Sequence, residues 1–377
     1  MEERFSETDI YFMRQALKEA RKGLGRTSPN PCVGTVIVNN GEIVARGHHK
    51  KAGEAHAEII ALIKAGDKAR GADMYITLEP CNHTGRTGPC SRAVVESGIK
   101  NVRIGMLDPN PLVDGSGAHY LANAGIDVKA GLLEAECRQL NRPFLTYITK
   151  GRPWVVMKAG MTLDGKITLR ENYGDVITGP ESFRQVHTLR DRCDAILVGI
   201  DTVRIDNPSL TTRLVGRRGR NPVRVILDSN LKISPEVQVI SQSRDGLTWI
   251  FCSQSVDFKK VELLKNSGVL VFQTSTEQSG RLDLKEVMMK LASRQITSVL
   301  VEGGAAVHGS FLKAGLVDHV KLFYAPVFGG DGGVNVIRDY RINGTDKDMI
   351  RLDHVKHRRF GEDLMISGDV VRKGPRH

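Results

Sequence analysis

The sequence predicts two consecutive α/β domains. Short apolar stretches typical of strands alternate with amphipathic or buried helical segments, a pattern that indicates layered α/β folds. At 377 residues the chain is too long for one ordinary core. The short break Gly151-Arg152-Pro153 separates the two series of elements. We therefore expect one domain over residues 1–150 and a second over residues 151–377.

The first domain begins with a predicted amphipathic helix over residues 9–22. A buried strand over residues 33–38 leads through the hairpin turn Asn39-Asn40-Gly41 into a second strand over residues 42–46. Further strands are predicted over residues 74–78, 102–106 and 125–128, and helices over residues 59–66 and 91–95.

The second domain repeats the alternation with its own set of apolar segments. Helices are expected between most of its strands, as in other layered α/β folds. The predicted strands cover residues 154–158, 195–198, 223–227, 248–252, 269–273, 298–301, 320–327 and 363–369, and two of the predicted helices cover residues 284–292 and 307–314.

Three residues of the first domain, His56, Cys81 and Cys90, have the chemistry of zinc ligands. Zinc prefers tetrahedral nitrogen and sulfur coordination, and a catalytic zinc site keeps one position for water. Three protein ligands leave that position open. Glu58 is a carboxylate two residues after His56, and we expect it to move protons for the metal-bound water rather than bind metal. The sequence thus predicts one catalytic Zn²⁺ per chain.

The spacing of these residues favours helix N-termini. Positions i and i+2 of a helix point to nearly opposite sides, so His56 and Glu58 can share a metal only at the first turn. Pro89 precedes Cys90, and proline is favoured at the start of a helix. There, the positive end of the helix would stabilise a cysteine thiolate. The alternatives are a structural zinc site or two ordinary core cysteines.

Composition restricts the class of protein. The net charge of +11 is compatible with a nucleic-acid partner, but aromatic residues are only 5% of the chain and do not interleave with the basic clusters at residues 213–220 and 356–359. We expect both clusters to be solvated loops, and phosphorylated small molecules rather than nucleic acid to be the partners. Scattered cysteines and the lack of a long apolar run predict a reduced, cytoplasmic protein without membrane contact.

The second domain contains three segments that together suggest a cofactor cleft. Glu302-Gly303-Gly304 follows a predicted strand and opens a helix, where backbone N–H groups can approach a phosphate. The polar loops at residues 206–213 and 160–166 are the other two. A tight strand-to-helix turn and two ordinary loops remain the alternative interpretation.

The chain resembles, over essentially its whole length, the bifunctional riboflavin-biosynthesis deaminase/reductase family. The long segment between the two cysteines distinguishes this family from deaminases with a CxxC pair. The matching motifs are Pro29-Asn30-Pro31, His56-Ala57-Glu58, the run from Thr77 to Cys90, Asp108-Pro109-Asn110-Pro111, Lys158, Thr162-Leu163-Asp164-Gly165-Lys166, Thr202-Val203, Asp206, Pro208, Leu210, Arg213 and Glu302-Gly303-Gly304.

The resemblance implies two folds and two reactions. The first domain would be a cytidine-deaminase-like α/β/α layer structure that deaminates a phosphoribosylamino-diaminopyrimidinone to the aminouracil, with Asn30 and His83 orienting the substrate. The second would be a dihydrofolate-reductase-like α/β domain that uses NADPH to reduce the ribosyl group to ribityl. The family is commonly oligomeric, which implies a homodimer or homotetramer.

The resemblance also assigns contacts in the second domain. An arginine pair suits a sugar phosphate, because the guanidinium fork matches phosphate oxygens. Lys158 and Asp206 are the candidate proton donors. The implied NADPH contacts are Gly160, Thr202, Asp206, Ser229, Gly304, Ala305, Ala306, Val307, His308, Gly309 and Ser310, and the implied substrate contacts are Gly174, Arg190, Leu210, Arg213 and Glu302.

Two positions depart from the family pattern. Val176 stands where an indole is usual and cannot stack on a cofactor ring, and Gly88 replaces a common proline. Two other functions stay open at this point. One is a nucleic-acid deaminase that edits tRNA and carries a basic partner domain. The other is a non-catalytic, zinc-stapled module that binds nucleotides.

Overall fold

The computed structural model describes residues 5–82, 88–110, 113, 115–216, 218–241, 246–342, 344 and 349–371. The chain divides into two compact units, Met1–Arg152 and Pro153–His377. Each unit contains a sheet flanked by helices, which confirms the predicted α/β class. No helix in the described ranges combines the length and the apolar character that a bilayer crossing requires.

The first unit is built on a five-stranded sheet with the order β2-β1-β3-β4-β5. The pairs β1–β2 and β1–β3 are antiparallel, whereas β3–β4 and β4–β5 are parallel. The strands are β1 (Gly34–Asn39), β2 (Glu42–His48), β3 (Asp73–Ile76), β4 (Asn101–Ile104) and β5 (Asp127–Ala130), and the helices are α1 (Glu7–Ala20), α2 (Ala57–Ala65), α3 (Cys90–Glu96), α4 (Ser116–Asn123), α5 (Glu134–Leu140) and α6 (Arg142–Lys150).

Both faces of this sheet are buried. On β1, Ile37 joins one core cluster, while its neighbours Val36 and Val38 join a second cluster that contains the apolar side of α1. Because successive strand residues point to opposite faces, a strand covered on both sides needs a continuous apolar run. The sequence of β1 supplies that run, and α1 begins at a capping box formed by Ser6 and Asp9.

The second unit is built on a nine-stranded sheet with the order β11-β10-β9-β8-β12-β6-β13-β16-β15, and a separate ladder pairs β14 with β7. The strands are β6 (Trp154–Met161), β7 (Lys166–Thr168), β8 (Ala195–Gly199), β9 (Val223–Leu227), β10 (Thr248–Ser253), β11 (Leu270–Thr274), β12 (Ser298–Gly303), β13 (His319–Tyr324), β14 (Val334–Asn335), β15 (Arg351–Phe360) and β16 (Asp363–Val371). The helices are α7 (Pro180–Arg192), α8 (Ile200–Asp206), α9 (Gln238–Ser241), α10 (Phe258–Asn266), α11 (Leu284–Ala292) and α12 (Ala305–Ala314).

Parallel pairing at the centre of this sheet creates a crevice at the carboxyl ends of its strands. Strand β12 pairs in parallel with β6 on one side and with β8 on the other. Because the chain returns to fill the position between β6 and β8, the strand order reverses there. The crevice outside the carboxyl ends of strands at such a point is the usual binding place of open α/β sheets.

The structure of the basic segment at residues 356–359 differs from the one expected from sequence. The segment was expected to be a solvated loop, but it lies inside β15, which pairs antiparallel with β16. Most residues of β15 are exposed, so the period-2 apolar pattern that reveals a half-buried strand is missing from its sequence. The described residues of the other cluster, at 213–220, form a loop, as expected.

Candidate functional site

Two helix N-termini and the segment after β3 hold the candidate metal ligands of the first unit. His56 is the N-cap residue of α2, with extended backbone angles of φ −73° and ψ 165°. Cys90 is the first residue of α3, and Pro89 is its N-cap. Cys81 lies in the segment that follows β3. The three side chains therefore converge from separate elements.

The ligand atoms of these residues lie within 4.8 Å of one another. His56 Nδ1 is 3.2 Å from Cys90 Sγ and 3.5 Å from Cys81 Sγ. A tetrahedral zinc with ordinary bond lengths separates a nitrogen from a sulfur ligand by about 3.5 Å. The nitrogen–sulfur–sulfur donor set and its spacing therefore fit Zn²⁺.

Electrostatics favour a thiolate at this site. Hydrogen bonding from Cys90 lowers the pKa of Cys81 to about 4 against the opposing effect of burial, and His56 contributes in the same direction. The pKa of Cys90 is raised, first because it donates to Cys81 and then by burial. The hydrogen bond with Cys81 also raises the pKa of His56. The two cysteines thus hold one thiolate, and a divalent cation would stabilise the second.

Glu58 lies in the first turn of α2, and only 3% of it is exposed. Burial raises the pKa of its carboxyl group to about 7. A group that gains and loses a proton near neutral pH is suited to general acid–base catalysis. The structure therefore places an ionisable carboxyl group beside the three candidate ligands.

His49 was missed by the sequence analysis. This buried side chain packs edge to face on the ring of His56, with centroids 5.3 Å apart. Its Nε2 lies 3.1 Å from Nδ2 of Asn30, and its Nδ1 lies 3.1 Å from the carbonyl oxygen of Ala55. The chain of contacts brings Asn30 to the metal region. His83 lies outside the described residues.

Glu79 was also missed, and it organises the segment that carries Cys81. Its buried carboxylate accepts hydrogen bonds from the backbone N–H groups of Asp108, Gly115, Gly117 and Ala118. These bonds fasten the Asp108 loop and the start of α4 to the residue next to Pro80. A sequence signal existed, because a glutamate after an apolar strand must find donors if it is buried.

The second unit contains a cavity of about 450 Å³ bordered by β6, β8 and β12. This volume lies within the usual range of ligand pockets. Several residues that line it are contacts implied by the resemblance: Gly160, Gly174, Arg190, Thr202, Asp206, Leu210, Glu302, Gly304, Ala305, Ala306, Val307 and His308.

Four of the implied contacts do not line this cavity. Ser229 follows β9, and its carbonyl oxygen accepts from the backbone of Ser253. Gly309 packs so tightly that an added Cβ would lie 1.8 Å from the carbonyl oxygen of Arg338. Ser310 accepts a hydrogen bond from Arg281, and the guanidinium of Arg213 lies 5.9 Å from the Phe183 ring at the cavity edge.

A buried ion cluster forms the cavity floor. The guanidinium of Arg190 donates to both carboxylate oxygens of Glu302, at 2.8 and 2.9 Å, and Lys158 Nζ lies 3.9 Å from the same carboxylate. Burial opposes ionisation of Glu302, but the positive charges and hydrogen bonds of Arg190, with Lys158, lower its pKa to about 2. Arg190 is therefore a buried residue whose charge is paired with Glu302.

Two buried histidines border this cluster. Burial, then Arg190 and Arg213, lower the pKa of His187 to about 4. Burial likewise lowers the pKa of His308 to about 4. The Nε2 atom of each ring has no hydrogen-bond partner among the described residues. Both rings are therefore neutral at ordinary pH.

The cavity has several features that suit a nucleotide cofactor. Gly304 is the N-cap of the ten-residue helix α12, and the first residues of this helix line the cavity. Glycines keep this region open, because a Cβ at Gly199 would lie 2.8 Å from the Val307 side chain. The unpaired Nε2 of His308 adds a buried polar atom that a ligand can satisfy. Val176, whose side chain cannot stack on a ring, lines the cavity and is 90% exposed.

The loop at residues 160–166 is mainly structural. Asp164 accepts hydrogen bonds from the Thr162 hydroxyl and from the backbone N–H groups of Gly329 and Gly330. These bonds, led by the Thr162 hydroxyl, lower its pKa to about 2. The loop therefore fixes the segment after β13 rather than presenting its carboxylate to a ligand.

Each unit matches a known protein family. Residues 153–366 match the family model described as the RibD C-terminal domain, and residues 6–106 match the cytidine and deoxycytidylate deaminase zinc-binding region. The riboflavin biosynthesis protein RibD of Aquifex aeolicus is 42% identical over 360 residues, which cover 96% of this chain and 98% of that protein. RibD of Escherichia coli K12 is 41% identical over 329 residues, covering 84% and 88%.

Solved structures agree with these matches. Acinetobacter baumannii RibD superposes with a TM-score of 0.87 at 32% identity, covering 97% of this chain and 99% of that one. A diaminohydroxyphosphoribosylaminopyrimidine deaminase/5-amino-6-(5-phosphoribosylamino)uracil reductase from Thermotoga maritima superposes with a TM-score of 0.83 at 37% identity, with the same coverage.

Proposed function

The chain belongs to the RibD family of bifunctional riboflavin-pathway enzymes, and from this premise we propose which of its residues carry the two reactions. It is a zinc-dependent deaminase and an NADPH-dependent reductase in one polypeptide. The matches over nearly the full length do not favour a tRNA-editing deaminase or a non-catalytic nucleotide-binding module.

We assign deamination to the first unit and reduction to the second. The convergence of His56, Cys81 and Cys90 beside Glu58 is the observation that carries the first assignment. The cavity at the carboxyl ends of β6, β8 and β12 supports the second. The substrates would be a diaminopyrimidinone with a phosphoribosylamino group and the aminouracil formed from it, the compounds named for the Thermotoga enzyme.

In the deaminase, His56, Cys81 and Cys90 would hold one Zn²⁺ per chain. Zinc, when bound, supplies Lewis acidity that lowers the pKa of a water to about 7. Glu58 would take the water proton and deliver it to the departing ammonia. Asn30, tied to His49 at 3.1 Å, would orient the pyrimidine ring, with His83 as a further contact.

In the reductase, NADPH would lie along the start of α12, from Gly304 to His308, with Thr202 and Asp206 across the cavity. The family pattern also implies cofactor contacts at Gly160 and Ser229. NADPH supplies the hydride, and the chain's own residues position the sugar and supply a proton. Lys158 is our proposed proton donor, because it lines the cavity and burial lowers the pKa of its ammonium group.

The sugar side of this site is proposed around Glu302. Both of its carboxylate oxygens accept from Arg190, and each keeps a further lone pair that can accept from a ribose hydroxyl. Leu210 and Gly174 line the same cavity, and Gly174 approaches Asp206 so closely that a Cβ would lie 2.0 Å from Oδ1. Arg213, beside Phe183, would bind the substrate phosphate as it enters.

The two activities are expected to separate when one metal ligand is removed. Cys81→Ser should reduce bound zinc from stoichiometric to trace amounts and abolish ammonia release, because serine is a poor zinc ligand. NADPH oxidation with supplied aminouracil substrate should continue. Metal analysis and two parallel assays, for ammonia and for NADPH absorbance, measure these outcomes. Cys137→Ser is the matched control, because Cys137 is a free cysteine of the first unit that is not among the three candidate ligands. Unchanged zinc in Cys81→Ser would contradict the assignment.

We also propose that the chain forms a homo-oligomer, a dimer or tetramer. Strand β15 lies at the end of the nine-stranded sheet and, among described residues, pairs only with β16. Val355 on β15 and Leu364 on β16 are 56% and 42% exposed. A long exposed edge strand is a template for pairing with another chain, so a second copy is a suitable cover.

The edge strand gives a further prediction. Val355→Lys should lower the average mass in solution towards that of the monomer, because a charge is expensive to bury between two strands. Light scattering after size-exclusion chromatography measures the mass. Val215→Lys, on an exposed loop, is the control and should not change it. A wild-type chain that runs as a monomer would disprove the proposal.

A cytoplasmic location is our remaining proposal. All six cysteines are free in the structure, and the two candidate ligands need reduced sulfur. Recovery of the native protein mainly in the membrane or exported fraction after cell fractionation would contradict it.

A further inference from the structure

Three cationic side chains line the cavity of the second unit: Lys158, Arg190 and Arg338. The first two share the buried carboxylate of Glu302. Arg338 instead pairs with Glu171, another lining residue, at 2.7 Å. The side chains of this pair are 51% and 66% exposed, so their mutual attraction is weak. Of the three cations, Arg338 is therefore the one that can change partner readily.

The backbone around Arg338 is fixed against α12. The N–H of Arg338 donates to the carbonyl oxygen of Ala305 at 3.1 Å. Nδ1 of His308 lies 3.0 Å from the carbonyl oxygen of Val336. Gly309 has no side chain where the carbonyl of Arg338 approaches. A half-exposed guanidinium thus lies on a segment that is hydrogen-bonded to the start of the helix.

The start of α12 and the side chain of Arg338 could bind the same anion in different ways. Free backbone N–H groups at a helix N-terminus attract phosphate oxygens. A second, independent feature of the same place is His308 Nε2, which is buried and has no partner among the described atoms. Because Nδ1 of the neutral ring donates to the Val336 carbonyl oxygen, Nε2 is an acceptor, and a ligand hydroxyl next to the phosphate can satisfy it. The guanidinium supplies a full positive charge with a planar fork, the geometry that matches phosphate.

We propose that Arg338 binds a phosphate group of the nicotinamide dinucleotide. Before the cofactor binds, the Arg338 guanidinium is paired with the Glu171 carboxylate, and a cofactor phosphate then replaces that carboxylate. This inference rests on the proposed reductase site. Arg338 is not among the residues of the family motifs. In this proposal, the ion pair between Glu171 and Arg338 forms only when the cofactor is absent.

Equilibrium binding of NADPH to the full-length, zinc-loaded chain tests the proposal, with cofactor fluorescence as the signal. Arg338→Gln should raise the dissociation constant about tenfold, as expected for a charge-assisted hydrogen bond at a partly exposed site. Arg341→Gln is the matched control, because Arg341 is exposed in the same segment and does not line the cavity. Glu171→Gln should lower the dissociation constant about two- to fivefold by removing the competitor.

Binding of NADH identifies which phosphate is held. If Arg338→Gln weakens NADPH and NADH equally, the pyrophosphate is the partner; if it weakens NADPH alone, the 2′-phosphate is. Either result supports the proposal.

Three results would overturn the proposal. They are unchanged NADPH binding by Arg338→Gln, weaker NADPH binding by Glu171→Gln, and an Arg338→Gln variant that loses affinity only for the phosphorylated aminouracil. In each case, binding of NADPH by the wild-type chain leaves the proposed reductase site intact, whereas failure of the wild type to bind rejects that site itself.

Discussion

Replacing Glu58 with glutamine is expected to lower the rate of deamination by about 10²–10⁴-fold, the usual contribution of a positioned general acid–base. The side chain is buried in the first turn of α2, two residues after His56. Glutamine has nearly the same shape but cannot accept and return a proton. The zinc content of the variant should equal that of the wild type, because Glu58 is not among the three grouped ligands.

The reductase serves as an internal control for this variant. NADPH oxidation with supplied aminouracil substrate should be unchanged in Glu58→Gln, since the proposed reductase residues belong to the other compact unit. Glu54→Gln removes the same charge from an exposed loop position and should retain full deamination. If Glu58→Gln deaminates as fast as Glu54→Gln, another group carries the proton.

The metal residues could be proposed from sequence because their spacing is local. His56 and Glu58 belong to one helix start, and a proline directly precedes each cysteine. The helix start at His56 and the helix start at Cys90 could therefore be predicted from short-range rules. His49 could not, because its role depends on contacts with Asn30, Ala55 and His56 that only the folded chain creates.

The second unit shows where sequence patterns fail. Apolar runs identified most central strands, because those strands are buried on both faces. Most residues of strand β15 are exposed, and its basic segment at residues 356–359 was mistaken for a solvated loop. The long-range pairing of Arg190 with Glu302 was equally invisible, since 112 positions separate the two residues. Burial of Glu302 needs a cationic partner, but the sequence does not say which cation will provide it.

Replacing Glu302 with glutamine is expected to destabilise the second unit by about 3–5 kcal/mol and to abolish reduction. The change leaves Arg190 and Lys158 with no counter-charge, although their side chains are only 11% and 16% exposed. Breaking a buried pair by removing one partner leaves an uncompensated charge in a poorly solvated site. Both tryptophans, Trp154 and Trp249, lie in this unit, so their emission during urea unfolding reports its stability selectively.

The pH dependence follows from the same cluster. The pKa of Glu302 is about 2 in the folded chain, below the value of about 4.3 for an unperturbed glutamate. A depressed pKa stabilises the fold fully above the unfolded value, and this contribution is lost as the pH falls from about 4.3 towards 2. Glu302→Gln should lose less stability than the wild type over that interval, because glutamine does not titrate.

Two comparisons separate the charge effect from general damage. Glu262→Gln disrupts an exposed pair with Lys265 and should change the unfolding free energy by less than about 1 kcal/mol. Adding Arg190→Met to Glu302→Gln removes the stranded guanidinium, so the double variant should be more stable than Glu302→Gln alone. If the loss of unfolding free energy in the double variant equals the sum of the losses in Arg190→Met and in Glu302→Gln, then Arg190 and Glu302 do not stabilise the fold through each other.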